Sequence, residues 1–398
     1  MNRPMRVVVF SERLWPEGGG GELATYLILK LLASTGDFEL EVYTGTEDHA
    51  KVPGASIKVV DFLRASNKVE LFTKILANRR LVKKAIERAD VVYIPRFSYP
   101  VIPVAKKLGK KVVVHLHGYQ PVSYTAVILS SEAEKPMNDF KRTLVLERAS
   151  KPLPLALVSA LVSPLTKLIR IWVKIADRIV CVSHRQEELL LRLAPEYKGK
   201  TIVVYNPLPE ISNVRIDPSE SPTLLYIGGE SYVKGFHVLL KTLRSCRKNT
   251  GFKLVMTNKY SQRSLKILRY LKRQLNLNVQ VLGLVSYEKL AELHSQAWAL
   301  LFPSIWEEPL PYAVLESLVH GTIPIASRVG GVVELAEDLI IRDYLFTPDD
   351  EIEFMDRIER IIAMDRQQIR DLRVTLRENT LSRFNTKKIA KSLIEVFS

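Results

Sequence analysis

The stretch Ala299–Glu316, ALLFPSIWEEPLPYAVLE, joins a short apolar run to a loop and to the start of a helix. We predict that Ala299–Phe302 is a strand buried on both faces, because it lacks polar alternation, and that Pro311 occupies the first helical position. A buried strand that leads through a loop into a helix is the repeating unit of a parallel α/β sheet. Such sheets bind ligands at the carboxyl ends of their strands.

The same alternation of short β-branched runs and longer amphipathic stretches continues in both directions along the chain. The predicted strands are Arg6–Phe10, Leu40–Thr44, Val91–Ile94, Val112–Leu116, Ile179–Val182, Ile202–Tyr205, Leu224–Ile227, Lys253–Met256, Val279–Leu282, Ala299–Phe302 and Ile323–Ala326. This rhythm predicts an α/β fold made of doubly wound parallel sheets.

With 398 residues, the chain is longer than one hydrophobic core usually organises, so we predict two domains. The rhythm breaks at Asn206–Pro222, which contains four prolines and is the predicted linker. We therefore assign residues 1–207 and 208–379 to two Rossmann-like domains that face a central cleft. A helix within 380–398 is expected to cross back to the first domain.

The composition is that of a globular protein, with 47% apolar and 25% charged residues. We predict no transmembrane helix, because the longest apolar stretch, Leu153–Ala176, contains Pro164 and three basic residues. The N-terminal residues run directly into a strand pattern instead of an apolar secretory segment. Cys181 and Cys246 are therefore interpreted as reduced thiols, and a cytoplasmic location is expected.

The positive charge is concentrated in the first half of the chain. The net charge is +15, and Lys and Arg exceed Asp and Glu by 12 in residues 1–200 but by 3 in residues 201–398. Two predicted amphipathic helices carry basic stripes, formed by Arg79, Arg80, Lys83, Lys84 and Arg88 and by Lys167, Arg170 and Lys174. Nucleic acid, an anionic membrane surface and a phosphorylated acceptor are all compatible partners, as is an ordinary solvated helix face.

Two motifs follow strands of the first half. Gly18–Gly21 lies between the first strand and an apolar helix, where backbone amides favour an anion. His117 follows the strand Val112–Leu116 and is expected to face a ligand, whereas His115 is expected to be structural. A flexible turn and a satisfied structural histidine are the alternatives.

Two motifs follow strands of the second half. Lys234, in the loop Gly228–Gly235, can neutralise a diphosphate leaving group, although a solvated surface lysine is the alternative. Glu308 and Glu316 flank the predicted helix start at Pro311. Amide N–H groups of a helix N-terminus donate hydrogen bonds to phosphate, and carboxylates accept hydrogen bonds from hydroxyl groups, so this segment suits a sugar nucleotide.

In this order, the motifs resemble glycosyltransferase family 4, whose members are retaining GT-B enzymes. The resemblance rests on Gly18–Gly21, His117-Gly118, Val182-Ser183, Asn206-Pro207, Lys234-Gly235, Glu308 with Glu316, Gly321 with Pro324, and Gly330-Gly331. It implies that the chain transfers a hexose-type sugar from a nucleotide diphosphate sugar to a glycan or a lipid-linked acceptor. That activity requires no further cofactor, and an anionic membrane surface would be an additional partner.

The resemblance implies that the first domain is the acceptor side and that the second domain binds the nucleotide sugar. It also implies roles for individual residues. His117 and Glu308 would contact the donor sugar, Lys234 would hold the diphosphate, and Glu316 would bind the ribose. The implied donor-binding residues are Gly19, Gly20, Gly21, Gly228, Lys234, Glu308, Leu310, Tyr312 and Glu316. Two positions depart from the family pattern. Gly229 stands where the family usually has an Arg that pairs with the Lys on the diphosphate, and Arg328 is one possible substitute. Pro311 has no backbone N–H and therefore removes an amide donor.

Two other functions compete with transfer. A basic nucleic-acid-binding protein is disfavoured, because no zinc-finger, basic-zipper or RNA-recognition signature accompanies the basic residues. A sugar-nucleotide binder or epimerase without transferase activity would be consistent with Gly229. No cluster of metal ligands is recognised in the sequence, so a metal-independent reaction is expected.

Overall fold

The computed structural model describes residues 3–209, 216–246, 251–337 and 340–398. The chain divides into two compact units. The first contains Met1–Ile128, Met137–Pro207 and Thr386–Ser398, and the second contains Leu129–Pro136 and Leu208–Asn385. Residues 210–215 of the predicted linker Asn206–Pro222 lie outside the described residues.

The first unit is built on a seven-stranded parallel sheet. Its strands are β1 (Met5–Ser11), β2 (Phe38–Thr44), β3 (Ala55–Val59), β4 (Val91–Ile94), β5 (Lys111–Leu116), β6 (Arg178–Cys181) and β7 (Thr201–Val203). The spatial order is β3-β2-β1-β4-β5-β6-β7, and all pairs are parallel. The chain reverses its winding direction between β1 and β4, which is the position where doubly wound sheets open a ligand crevice.

The second unit repeats this plan with six parallel strands. They are β8 (Thr223–Tyr226), β9 (Lys253–Thr257), β10 (Asn278–Gly283), β11 (Ala299–Phe302), β12 (Ile323–Ser327) and β13 (Leu345–Phe346). The order is β10-β9-β8-β11-β12-β13, so the winding reverses between β8 and β11. The predicted α/β class and doubly wound parallel sheets are therefore confirmed.

Helices connect the strands of both sheets. Those of the first unit are α1 (Gly20–Thr35), α2 (Lys68–Ala77), α3 (Arg79–Ile86), α4 (Val101–Lys107), α5 (Asp139–Arg148), α6 (Leu153–Val162), α7 (Leu165–Lys174), α8 (His184–Leu193) and α16 (Thr386–Phe397). Those of the second are α9 (Phe236–Ser245), α10 (Gln262–Leu275), α11 (Tyr287–Gln296), α12 (Tyr312–Val319), α13 (Gly331–Ala336), α14 (Glu351–Ile362) and α15 (Arg366–Arg383).

The last helix, α16, completes the core of the first unit. The Phe397 ring lies 5.1 Å from the ring of Tyr93 and 5.8 Å from that of Phe38, measured between centroids.

The bounds of the two units differ from the predicted domain bounds at two places. Residues 380–385 belong to the second unit, because α15 continues to Arg383. Leu129–Pro136 also belongs to the second unit, where the Ser130 amide donates to the Ile305 carbonyl at 2.9 Å.

Two strands escaped prediction, and both lie at sheet edges. β3 has no fully buried residue, and β13 contains two residues, so neither carries the apolar run typical of a central strand. Pro311 also differs from expectation, since it caps α12 in an extended conformation and Tyr312 is the first helical residue.

The stretch Leu153–Lys174 is long and apolar enough to cross a membrane by length and composition, with a mean hydropathy of 1.5 and 39% of the window buried. The expectation of no such segment is therefore not met on these criteria. A turn at Ser163 and Pro164 divides the stretch into α6 and α7. A ten-residue helix is about 15 Å long, roughly half the hydrocarbon thickness of a bilayer.

Candidate active site

Three neighbouring strands of the second unit end at the predicted donor site. The loop Gly228–Gly235 follows β8, Pro303–Pro311 follows β11, and Gly330 follows β12. Since adjacent parallel strands end at the same edge of the sheet, these loops meet there. The second unit thus brings Lys234 and Glu308 into direct contact.

A half-buried ion pair is the centre of this site. Lys234 Nζ lies 2.7 Å from Glu308 Oε1, and the Ser304 hydroxyl donates to the same oxygen at 2.8 Å. The Glu308 side chain is 3% exposed but that of Lys234 is 35% exposed. An incoming anion therefore has access to the ammonium group, while the carboxylate is shielded from solvent.

Aromatic rings surround the Lys234 ammonium group. Nζ lies 5.4 Å from the centroid of the Trp306 ring and 5.7 Å from that of Phe302. Cations are stabilised over ring faces at such distances. The lysine is therefore held at the sheet edge by a carboxylate and two rings, which argues against a freely solvated surface side chain.

Backbone packing fixes the loop that carries Lys234. Gly235 has φ +73°, and a Cβ atom placed there would lie 1.6 Å from the Pro303 carbonyl oxygen. The Ile305 amide donates to the Val233 carbonyl at 3.0 Å, and the Ser304 Oγ atom lies 3.0 Å from the same carbonyl oxygen. Only glycine fits at position 235, and this close approach aligns the lysine with Glu308.

The loop after β12 closes over the glutamate pair. The Gly331 amide donates to the Glu308 carbonyl at 2.8 Å, and the Gly330 amide donates to Glu307 Oε2 at 2.9 Å. Ser304 and Glu307 were not among the residues predicted from the sequence to belong to the site. Their position beside Glu308 in the segment Pro303–Pro311 was the available signal.

Glu316 lies five residues into α12 and is 7% exposed. Burial raises the pKa of its carboxyl group to about 7, although a hydrogen bond with Tyr287 acts in the opposite direction. Leu310 and Tyr312 are also buried, at 5% and 6% exposure. A carboxyl group with this pKa can exist in either protonation state near neutral pH.

Gly229 occupies a position that disfavours a side chain. Its φ is +61°, and a Cβ atom would lie 3.1 Å from the Asn258 Cγ atom. The Tyr226 hydroxyl donates to the Gly229 carbonyl at 2.9 Å. The same hydroxyl would lie 2.6 Å from a Cβ atom placed at Gly228, so the neighbouring position is also crowded. An Arg at position 229 would therefore be strained in this loop.

Arg328, considered as a substitute cation, is exposed and lies near Glu353. Burial acts to raise the pKa of Glu353, but hydrogen bonds from Thr347 and the positive charges of Arg357 and then Arg328 give a net lowering. Its position near Glu353 provides no structural support for a role at the diphosphate.

The first unit has its own polar cluster at the carboxyl edge of its sheet. Gly19 precedes α1, and Gly20 and Gly21 form its first turn. A Cβ atom at Gly21 would lie 2.8 Å from Arg96 Nη1 and 3.5 Å from His117 Cβ. The predicted glycine loop and His117 are therefore neighbours within this unit.

Arg96 connects two carboxylates in this cluster. Its Nη2 atom lies 2.7 Å from Glu22 Oε1, and its Nε atom donates to Glu12 Oε1 at 3.2 Å. Glu22 also accepts from the Gly19 amide at 2.8 Å, so a carboxylate already occupies part of the helix N-terminus predicted to favour an anion. Arg96 was missed, although it follows β4 as His117 follows β5.

His117 is held as a neutral imidazole. Burial, followed by the charges of His115 and Arg96, lowers its pKa well below the usual value. Its Nε2 atom is buried and has no hydrogen-bond partner within the described part of the chain. His115 stacks on it at 4.5 Å between ring centroids and bonds to Tyr93 at 2.8 Å, so His115 has the predicted structural position.

Family models match nearly the whole chain. Residues 18–209 match the model described as Glycosyltransferase Family 4, and residues 209–397 match Glycosyl transferases group 1. Among curated proteins, an uncharacterized glycosyltransferase of Methanocaldococcus jannaschii is 29% identical over 140 residues, and a protein of the cps region of Klebsiella pneumoniae is 27% identical over 138 residues. These matches span about a third of each relative's length, 35% and 34%.

Solved structures are similar over the full length. Sucrose-phosphate synthase from Thermosynechococcus elongatus aligns with a TM-score of 0.73 and 19% identity, covering 99% of this chain and 98% of that one. Anabaena HepE in complex with UDP and glucose aligns with a TM-score of 0.67 and 16% identity, covering 98% of both chains. Both likenesses concern the fold. From its two family matches and its pair of parallel α/β units, this chain belongs to the family 4 type of glycosyltransferases with the GT-B fold.

Proposed function

We propose that this glycosyltransferase transfers a hexose-type sugar from a UDP-sugar to a glycan or lipid-linked acceptor with retention of anomeric configuration. The observation that carries the proposal is the Lys234–Glu308 ion pair, with its exposed ammonium and shielded carboxylate. The choice of UDP draws on Anabaena HepE, whose structures contain UDP, glucose or UDP-glucose.

The ion pair suggests how the donor is bound. A diphosphate that reaches Lys234 would compete with Glu308 for the ammonium group. The carboxylate would then be available to accept hydrogen bonds from sugar hydroxyls. Lys234 would also stabilise the charge that develops on the leaving diphosphate, without help from a metal ion. Glu316 would accept hydrogen bonds from the ribose hydroxyls.

His117, Gly19, Gly20 and Gly21 belong to the first unit, and we assign them to the donor sugar and the acceptor. A neutral imidazole suits this role because it can donate or accept a hydrogen bond. In the transfer step, the bond from the anomeric carbon to the phosphate oxygen breaks. The acceptor oxygen bonds to the same face of that carbon, and its proton moves to the leaving diphosphate.

Gly229 favours a second candidate function, a sugar-nucleotide binder or epimerase that does not transfer the sugar. The left-handed conformation of Gly229 keeps the usual Arg out of the phosphate site. Binding of the donor, with neither sugar transfer nor hydrolysis of the donor, would support this candidate.

Release of UDP from UDP-sugars, with water or added glycans as acceptor, tests the proposal. We expect Lys234→Ala and Glu308→Ala to lower the rate by about 10²–10³-fold, because a preorganised charged contact in the transition state is lost. Lys241→Ala is the matched control, since Lys241 is an exposed lysine of α9 paired with Asp349 at 3.3 Å. Unchanged rates in both site variants would contradict the site assignment.

We further propose a cytoplasmic protein that associates peripherally with the inner face of a membrane. The basic first half of the chain supports this location. Two helices were the predicted contact elements, but in one of them Arg170 is engaged by Glu196, with Nη2 to Oε2 at 2.8 Å. A different element of the first unit has stronger features for this role.

A further inference from the structure

Helix α6 is apolar on all sides and yet exposed. Among Leu153–Val162, its only polar side chain is Ser159, and the segment from Pro152 to Thr166 contains no charged residue. Its buried residues are Ala156 and Ala160, which lie one turn apart, and α6 packs against α5. A soluble helix without a polar face is normally enclosed by protein.

The exposed large apolar side chains of α6 form what we call the α6 surface. It consists of Leu153, Leu155, Leu157, Val158 and Leu161, of which Leu161 is 68% exposed. The next helix, α7, also carries an exposed apolar side chain, Ile171, which is 59% exposed. Contiguous exposed apolar side chains of this size indicate a binding surface.

The geometry favours a helix that lies on a membrane over one that crosses it. The turn at Ser163 and Pro164 ends α6 after ten residues. Helix α7 is anchored in the unit by buried Ile169, Trp172 and Val173, and the Trp172 ring lies 5.5 Å from the ring of Phe72. Neither helix alone is long enough to span the hydrocarbon core.

Charge around the α6 surface identifies the partner as anionic. Between Asp139 and Ile175 there are seven Lys or Arg residues and two acidic ones. Both acidic side chains have partners, since Asp139 accepts from the Tyr124 amide at 3.0 Å and Glu147 pairs with Lys151. Lys141, Arg148, Lys167 and Lys174 are exposed. A second copy docked here would oppose like charges, whereas anionic lipid would complement them.

Helix α5, which packs against α6, is connected by hydrogen bonds to the predicted acceptor side of the enzyme. Besides the Asp139 contact, Arg142 donates from Nη1 to the Val122 carbonyl at 3.2 Å and from Nη2 to the Met137 carbonyl at 2.8 Å. Tyr124 and Val122 belong to the loop that follows His117. A bilayer that receives α6 would therefore contact the same unit that contains His117. Helix α5 would connect that contact to the loop that follows His117.

We propose that the α6 surface is an interfacial membrane anchor that inserts its leucines into an anionic lipid leaflet while the surrounding lysines and arginines contact the head groups. This deepens the peripheral location proposed above. It rests on the proposed function only for the idea that the acceptor is presented at that membrane.

Vesicle co-flotation of the full chain tests this anchor. The probes are vesicles of phosphatidylcholine alone and vesicles of phosphatidylcholine mixed with phosphatidylglycerol. We expect binding to the anionic vesicles that weakens with salt, and a loss of at least ~10-fold in Leu155→Ser/Leu161→Ser, because two exposed leucines that would insert into the lipid are removed. Ile352→Ser is the matched control, since Ile352 is 79% exposed on α14 of the other unit.

Three results would overturn the proposal: no vesicle binding by the wild type, equal binding to both vesicle types, or equal binding by the leucine variant. Sedimentation velocity without lipid provides a further arm. A dimer that disappears in the leucine variant would identify a second copy as the occupant and contradict the lipid assignment. A UDP-induced thermal shift in the same variant shows that the variant is folded and that its donor site is intact. A loss of vesicle binding can then be assigned to the anchor and not to the donor site.

Discussion

The two units use the same sheet plan but build their sites differently. In the second unit, Lys234, Ser304 and Glu308 come from two short segments and are connected by hydrogen bonds and backbone contacts. In the first unit, Arg96 and His117 follow separate strands and meet the glycine loop of α1. A site encoded in continuous segments is visible as a motif, whereas one assembled from single residues becomes visible only in the fold.

The tight packing of the second site predicts the largest effect. Gly235→Ala should lower the free energy of unfolding by about 4 kcal/mol, because it combines a left-handed backbone with a clash against Pro303. Denaturant unfolding provides the measurement. Gly36→Ala is the control, since Gly36 has φ +77° but open space around it, and should cost about 1 kcal/mol. Equal costs would show that packing at Gly235 is unimportant.

The scattered site of the first unit depends on Arg96. We expect Arg96→Met to lower the free energy of unfolding by about 3 kcal/mol, because Glu12 and Glu22 would remain nearly buried without their partner. Arg185→Met, which removes an exposed pair with Glu188, should cost less than about 1 kcal/mol. UDP affinity should not change in either variant. A large loss of UDP binding in Arg96→Met would remove the distinction between the two sites.

The buried carboxyl group of Glu316 predicts a pH dependence. Its pKa of about 7 in the folded chain exceeds the ordinary value of 4.5, so the folded state holds the proton more tightly. The contribution of this group to stability is therefore complete below its unfolded pKa and is lost as the pH rises through 7. From about pH 5 to pH 7, stability should fall by about 2 kcal/mol relative to Glu316→Gln. Parallel pH profiles for the two proteins would contradict this pKa.

The smallest effect concerns the departure from the family pattern. Gly229→Arg should destabilise the chain by about 1–2 kcal/mol, because φ is +61° and Asn258 is close. It should not tighten UDP binding, since the added side chain must distort the loop to reach the phosphate. Gly251→Arg, at φ +71° with open space, is the control. Tighter UDP binding by Gly229→Arg alone would show that the site lacks only this charge.

Much of the fold was predictable because central parallel strands are continuous apolar runs, as in β4 and β11, which are buried throughout. The edge strands β3 and β13 lack that signal. The exposure of α6 was also not predictable, since an apolar helix is normally read as core. Likewise, Glu12 and Arg96 carry no local pattern, and their ion pair depends on β1 and β4 being neighbours in the sheet.

In the proposed function, Lys234 and Glu308 mark the binding site for the diphosphate of a sugar nucleotide. The most direct measurement is the thermal shift produced by UDP and UDP-glucose, compared in wild type, Lys234→Ala and Lys241→Ala. A ligand that binds only the folded state raises the unfolding midpoint. We expect a shift in wild type and in Lys241→Ala that is lost in Lys234→Ala. An equal shift in all three proteins would contradict this assignment.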